Sequence, residues 1–240
     1  MDLIKINEDL LRRIVRSVDK AVSDDIPEYL REHYKETNNA VPHLRGDFIN
    51  DNLRNFVVNE NIKLFSFNRS SWQGRIIVDS EDKITYTITT KKTLKEIQKK
   101  QRSKPHYHQT LLFKLNGEFE GIKKQLSFID VSPFEEDELE QDFIRIFNNN
   151  KLEDYVHYIV TYEAIQSELI DIQLEFLDKD FDPIEVVSLN EYIKPDFSRI
   201  TDIEFVSGDF DEENEVKALV GLKPGLRPKL KRDQNKPNEI

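Results

Sequence analysis

The sequence predicts an α+β fold, with N-terminal helices packed on a mostly antiparallel sheet and a disordered basic tail at the C-terminus. Two observations carry this. Apolar residues recur at three- and four-residue spacing near the N-terminus, whereas later runs are β-branched or aromatic and bounded by polar clusters. Those later runs are separated by hairpin-type turns rather than by regularly alternating helices, which argues against a doubly wound parallel sheet.

The first helix is expected over Asn7 to Val22. Leu10, Leu11, Ile14, Val15, Val18 and Val22 form its apolar stripe, and Asn7 is placed to cap it. Arg12, Arg13, Arg16 and Lys20 sit on the other face, interleaved with Glu8, Asp9 and Asp19 as on an ordinary solvated surface. Pro27 suits the first turn of a second helix that runs to Lys35. Pro42-His-Leu-Arg-Gly-Asp47 reads as a turn feeding a third helix, Asp47 to Val58, with Phe48, Ile49, Leu53, Phe56 and Val57 as its buried stripe.

The stretch from Ile62 to Asn116 organises the rest of the chain. Strands are expected at Lys63–Asn68, Trp72–Val78 and Lys83–Thr89, the last two joined by Asp79-Ser-Glu-Asp82. A basic helix begins at Lys91, capped by Thr93 and anchored only by Leu94 and Ile97. Pro105-His-Tyr-His108 then leads into a strand, Gln109–Leu115, closed by the turn Asn116-Gly117. A further strand is expected at Lys124–Ile129. Acids from Glu135 to Asp142 open a helix whose first turn they suit electrostatically, and Phe143–Phe147 buries its end. Three more strands are expected at Val156–Tyr162, Leu169–Phe176 and Ile184–Leu189. The chain therefore divides into a helical part (1–60), a sheet part (61–206) and an acidic-then-basic tail (207–240).

Composition narrows the function. A formal charge of −11 disfavours general attraction to nucleic acid over the whole surface, but permits a local basic site. Zero cysteine removes disulfides, thiolate metal sites and thiol nucleophiles. The absence of an apolar run of membrane-spanning length, or of a leader, makes the cytoplasm the expected compartment, with no membrane partner. Four alanines and seven glycines against abundant Asn, Lys, Ile and Phe match AT-rich codons, and so a bacterium or a phage or mobile element within one.

No phosphate-binding glycine loop, dinucleotide fingerprint, nucleophile elbow or zinc-protease helix is present, so no cofactor and no metal are expected. Asp79 with Glu81-Asp82-Lys83 has the residues of a metal-dependent nuclease, but in a hairpin turn rather than on converging strands. The candidate catalytic cluster is His106, Tyr107 and His108, with His43 and Arg45 in reach if the third helix packs nearby. Two histidines two residues apart in a strand share a face, and imidazoles exchange protons near neutral pH. The alternative is a pair of half-exposed histidines with no chemistry.

Candidate partner-binding cations are Lys91, Lys92, Lys95, Lys99, Lys100, Arg102 and Lys104 in the basic helix. Arg227, Lys229, Lys231 and Arg232 in the tail join them. In Lys91–Lys104 seven basic residues face a single acid. Such segregated blocks favour salt-sensitive docking to a macromolecule, either a protein or a nucleic acid. The expected function is a bacterial or phage accessory protein acting as a binding or regulatory module. The rival is a metal-independent, ribonuclease-like phosphodiester-cleaving enzyme using His106 and His108.

Pro42-His-Leu-Arg-Gly-Asp47 ahead of a helix, together with Trp72-Gln-Gly74 opening a strand, resembles an uncharacterised family of bacterial or mobile-element proteins, over a span reaching about Ile193. The resemblance implies an accessory role and supplies no catalytic residue.

Overall fold

Helix α1 (Glu8–Lys20) forms where its cap and stripe coincide. The Asn7 side chain accepts a hydrogen bond from the Leu10 amide at 3.1 Å, and Glu8 and Asp9 occupy the positive first turn. Leu10, Leu11, Ile14, Val15 and Val18 are all buried, each contributing roughly 1.5–3 kcal/mol of transfer free energy. The computed structural model describes residues 7–33, 36–69, 72–99, 103–122, 134–148, 152 and 154–193. Within them α1 continues through a π-helical turn, Ala21–Asp25, into α2 (Ile26–Glu32).

Helix α3 (Val41–Phe56) starts earlier than the sequence suggested. Pro42-His-Leu-Arg-Gly-Asp47 forms its first turns and not a turn ahead of it. Pro42 lies where the helix has no amide bond to lose. Ile49 and Leu53 join the core beneath α1. Asn52, buried between the helices, donates to Ser17 O at 3.3 Å and to Asp25 Oδ2 at 2.7 Å, which registers α3 on the π turn.

Among the described residues there are six strands, β1 (Ile62–Arg69), β2 (Trp72–Asp79), β3 (Ile84–Thr90), β4 (Val156–Ile165), β5 (Glu168–Leu177) and β6 (Pro183–Ser188), and they lie in sequence order in one sheet. All neighbours are antiparallel except β3 and β4, which run parallel. The expected α+β architecture is therefore the observed one. A parallel pair needs a long crossover, and the described part of this one is largely helical. It contains α4 (Lys91–Lys99), α5 (Tyr107–Leu115) and α6 (Glu136–Phe147).

The expected strand Gln109–Leu115 is thus corrected to helix. Tyr107, Leu111 and Leu115 recur every four residues and pack with Phe143, Ile146, Phe147, Ile76 and Val78. Leu112, one residue off that stripe, packs with Leu94, Ile97 and Ile159. A leucine-rich apolar set at helical spacing, preceded by a capping residue, is a helix pattern. The Asn116-Gly117 pair ends that helix instead of turning a hairpin. The expected strand Lys124–Ile129 and the tail 207–240 lie outside the described residues.

Helices cover both faces of the sheet. Ile77, Ile84, Tyr86, Tyr158, Val160 and Ile172 face α1 and α3. The alternate residues face α4, α5 and α6. Register exposes one irregularity. β2 pairs with β1 over eight positions and β3 pairs with β4 over seven, but β2 and β3 meet only at Ile77–Tyr86, Val78–Thr85 and Asp79–Ile84. Beyond the Ile77–Tyr86 pair, β2 and β3 part.

Candidate functional site

A cleft of about 830 Å³ occupies that parting. One wall is strand: Trp72, Gln73, Gly74 and Arg75 from β2, and Ile88, Thr89 and Thr90 from β3. The other is α3, through His43, Asp47, Asn50 and Asp51. His106 and Tyr107 close one end. Because α3 packs on one face of the sheet and α5 on the other, only the opening between β2 and β3 lets His43 and His106 line a common space.

An aromatic stack forms one end of the cleft. The Trp72 and Tyr107 rings lie 5.4 Å apart at 25°, and Phe67 meets both, edge-on to Trp72 and tilted against Tyr107. Gly74, opposite Phe67 in the β1–β2 register, makes room for them. A Cβ there would fall 2.6 Å from Phe67 Cε1 and 2.7 Å from Trp72 Cη2. Trp72 remains 45% exposed, so one of its surfaces is open. Burial pushes the Tyr107 hydroxyl far above its ordinary pKa, with Arg69 opposing, so it stays protonated.

The two arginines of this wall differ. Arg69 is engaged: it pairs with the buried Asp142 and donates to Pro105 O at 2.7 Å. Asp142 also accepts from Thr110 at 2.7 Å, which ties α5 and α6 to the end of β1. Arg75 is held only through Nη2, 3.3 Å from Gln73 Oε1, and its buried Nη1 has no hydrogen-bond partner among the described residues.

A second groove, about 610 Å³, shares Thr90 and Tyr162 with the first. Arg45, Lys92, Lys95 and Lys99 line it, with Glu96 and Glu163. Arg45 lies against the Tyr162 hydroxyl. Lys91 is occupied in an ion pair with Asp171. Thr90, not Thr93, caps α4: its hydroxyl oxygen accepts from the Thr93 amide at 3.0 Å.

The strand geometry expected for the histidines is overturned. His106 is the N-cap of α5. Its Nδ1 accepts from the His108 amide at 3.3 Å, and its own amide donates to Gln109 Oε1 at 2.7 Å, completing a capping box. His108 turns away from the cleft and is fully buried. There it enters a chain of hydrogen bonds that sequence reasoning missed. Thr85 Oγ1 donates to Val156 O at 3.2 Å, so it accepts from His157 Nδ1 at 2.9 Å. His157 Nε2 then accepts from Thr87 Oγ1 at 3.0 Å, and Thr87 accepts from His108 Nδ1 at 3.3 Å. Burial, reinforced by His106, His157 and Arg69, holds His108 well below its ordinary pKa, and burial brings His157 down to about 3. Both are neutral near pH 7. His108 is therefore built into the core, away from the space that His43 and His106 share.

Of the other expected site residues, Lys104 is exposed and lines neither cleft nor groove. Lys100, Arg102, Arg227, Lys229, Lys231 and Arg232 lie outside the described residues. Asp79 serves its turn, accepting from the Glu81 and Asp82 amides at 3.0 and 3.3 Å. No group of three or more His, Asp or Glu among the described residues is arranged to hold a metal ion. None of the described helices is long and apolar enough to cross a membrane. Asp47 and Trp72 enter the sequence reading of the site only through the two short motifs of the family resemblance, and Arg75 and Asp51 through none. A lone tryptophan beside a strand glycine was the available signal.

The model of a family of unknown function, DUF5986, matches residues 3–239. The chain belongs to the DUF5986 family. No curated protein and no solved structure matches this DUF5986 chain. The expected resemblance to an uncharacterised family is met at that level, and the match runs well past Ile193.

Proposed function

We propose that this DUF5986 protein is a binding module for single-stranded nucleic acid, which lies along the cleft and the α4 groove. One observation carries the reading: an open aromatic platform, Trp72 on Tyr107, and a row of cations, Arg45, Lys92, Lys95 and Lys99, belong to spaces that meet at Thr90 and Tyr162. Single strands are bound by this combination, bases stacking on aromatics while phosphates follow positive charge. The net charge of −11 restricts attraction to that groove. The composition, which matches AT-rich codons, supports a bacterial or phage genome as the source; an accessory role in the cytoplasm is part of the same proposal.

Anisotropy of labelled single-stranded RNA and DNA tests this. We expect binding at low salt that weakens with a log–log slope of about −3, four groove cations each releasing a fraction of a counterion. Lys95→Glu with Lys99→Glu should cost at least about tenfold in affinity at unchanged melting temperature. No binding at low salt, or equal binding by the double variant, overturns the reading; recovery of a protein partner instead would favour the other expected class.

A second reading has its own observation, that His43 and His106 line one cleft. One imidazole would take the proton of a ribose 2′-hydroxyl as it attacks phosphorus, and the other would protonate the departing 5′-oxygen. In the same samples, chelator-resistant cleavage abolished by His106→Ala would promote it, and intact RNA would remove it.

A further inference from the structure

We infer that the cleft selects guanine among the bases of its strand. This rests on the nucleic-acid reading above and deepens it. Three features of the cleft lead there. The platform of Trp72 accepts any base by its face and so discriminates little. The α3 wall presents two carboxylates, Asp47 and Asp51, where a phosphate would be repelled. The backbone of a bound strand therefore runs on the α4 side, and a base edge is what meets α3. Carboxylates accept hydrogen bonds only, so that edge must donate. On the strand wall, Arg75 brings the opposite requirement: a guanidinium nitrogen, buried and without a partner among the described residues, that needs an acceptor.

A base that satisfies both walls must carry an acceptor on one edge and donors on another, and paired donors satisfy a carboxylate best. Guanine does. Its O6 and N7 accept from an arginine, the commonest specific arginine–base contact, and its N1–H and N2–H₂ form a fork that fits one carboxylate. Uracil offers a single donor, between two acceptors. Adenine and cytosine each present an amino group, but without an adjacent ring N–H to complete the fork. The space of about 830 Å³ lies within the range of small-ligand sites and is ample for one nucleotide.

Trp72 is the only tryptophan of the chain, so its emission reports on the cleft alone. Titration of the full-length protein with a uridine hexanucleotide and with the same hexanucleotide carrying one guanine supplies the test. Expected is quenching by both, with the guanine oligonucleotide bound about tenfold or more tightly. Arg75→Gln, and separately Asp47→Asn with Asp51→Asn, should bring the guanine oligonucleotide to the affinity of the uridine one. Because Arg75→Gln also removes a positive charge from the strand's site, it should weaken both oligonucleotides, the guanine one by the larger factor. The carboxamide variants alter exposed helix residues, so they keep the test sound if Arg75→Gln proves unstable. Equal affinity for the two oligonucleotides, or variants that lose both by the same factor, overturns the guanine inference while leaving strand binding intact. Absence of binding by either overturns both.

Discussion

At the scale of single residues, the molecule keeps its polar groups in two very different conditions. Thr85, His157, Thr87 and His108 form a buried hydrogen-bonded line in which each hydroxyl and ring nitrogen has one assigned direction, up to His108 Nε2, which is buried without a partner among the described residues. The line has a pH signature. An unfolded chain takes up both imidazole protons near the ordinary value of 6.5, and the folded chain refuses them until far lower pH. Stability contributed by this neutrality is complete above pH 6.5 and is lost as pH falls below it, for His157 on the order of 1 kcal/mol per pH unit down to about 3, with His108 acting in the same direction. Denaturant melts from pH 7 to 5 should show that slope, and His157→Gln should reduce it, leaving the His108 contribution; an unchanged slope would place the titration elsewhere. Gly74 is the contrary case, a residue defined by what it lacks. Gly74→Ala should push the Phe67 and Trp72 rings off the strand, costing about 1–3 kcal/mol and shifting the Trp72 emission maximum. Parental emission would show that the rings yield without cost.

Among the elements, α5 shows how a local pattern misleads when it is given the wrong period. Gln109–Leu115 contains Thr, Phe and three leucines, and a strand reading puts the β-branched and aromatic residues above the spacing. Leucine favours helix, and Tyr107, Leu111 and Leu115 share one side of it. Histidine is unusual as an N-cap, so His106-x-x-Gln109 gives little sign in sequence of the capping box it forms. The far end of α5 carries more of the fold. Asn116 is fully buried, and its side chain accepts from the His157 amide at 2.8 Å while donating to His157 O at 2.8 Å and Leu177 O at 2.7 Å. It holds β4 and β5 where their own pairing has not begun, since the β4–β5 register starts at Tyr158 and the β5–β6 register shifts next to Leu177. Asn116→Ala would leave three buried backbone groups unpaired, and a loss of about 3 kcal/mol or more is expected in chemical denaturation. A loss below about 1 kcal/mol would mean that water replaces the side chain.

For the molecule as a whole, the candidate site lies where two kinds of strand pairing meet. The sheet changes from antiparallel to parallel at β3, and next to that change β2 and β3 separate to make the cleft. Much of what surrounds it was legible in the sequence. The apolar stripe and cap of α1, the six strand runs, the acidic first turn of α6 and the cations of α4 are each determined within a few turns of chain. Their signals are periodicity, capping and composition, which need no distant partner. The rest depended on residues far apart in sequence. His157 sits inside the apolar run Val156–Tyr162, and nothing in that run tells it from a surface histidine until Thr85 and Thr87 arrive from β3. His106 and His108 are two residues apart, yet one faces the cleft and the other the core, because a helical turn of about 100° per residue separates what a strand would have aligned. Arg69 and Arg75 look alike on β1 and β2, but Asp142, far along the chain on α6, engages the first and leaves the second facing the cleft. Local sequence chose the elements; long-range packing, which alone decides burial and pairing, chose the site.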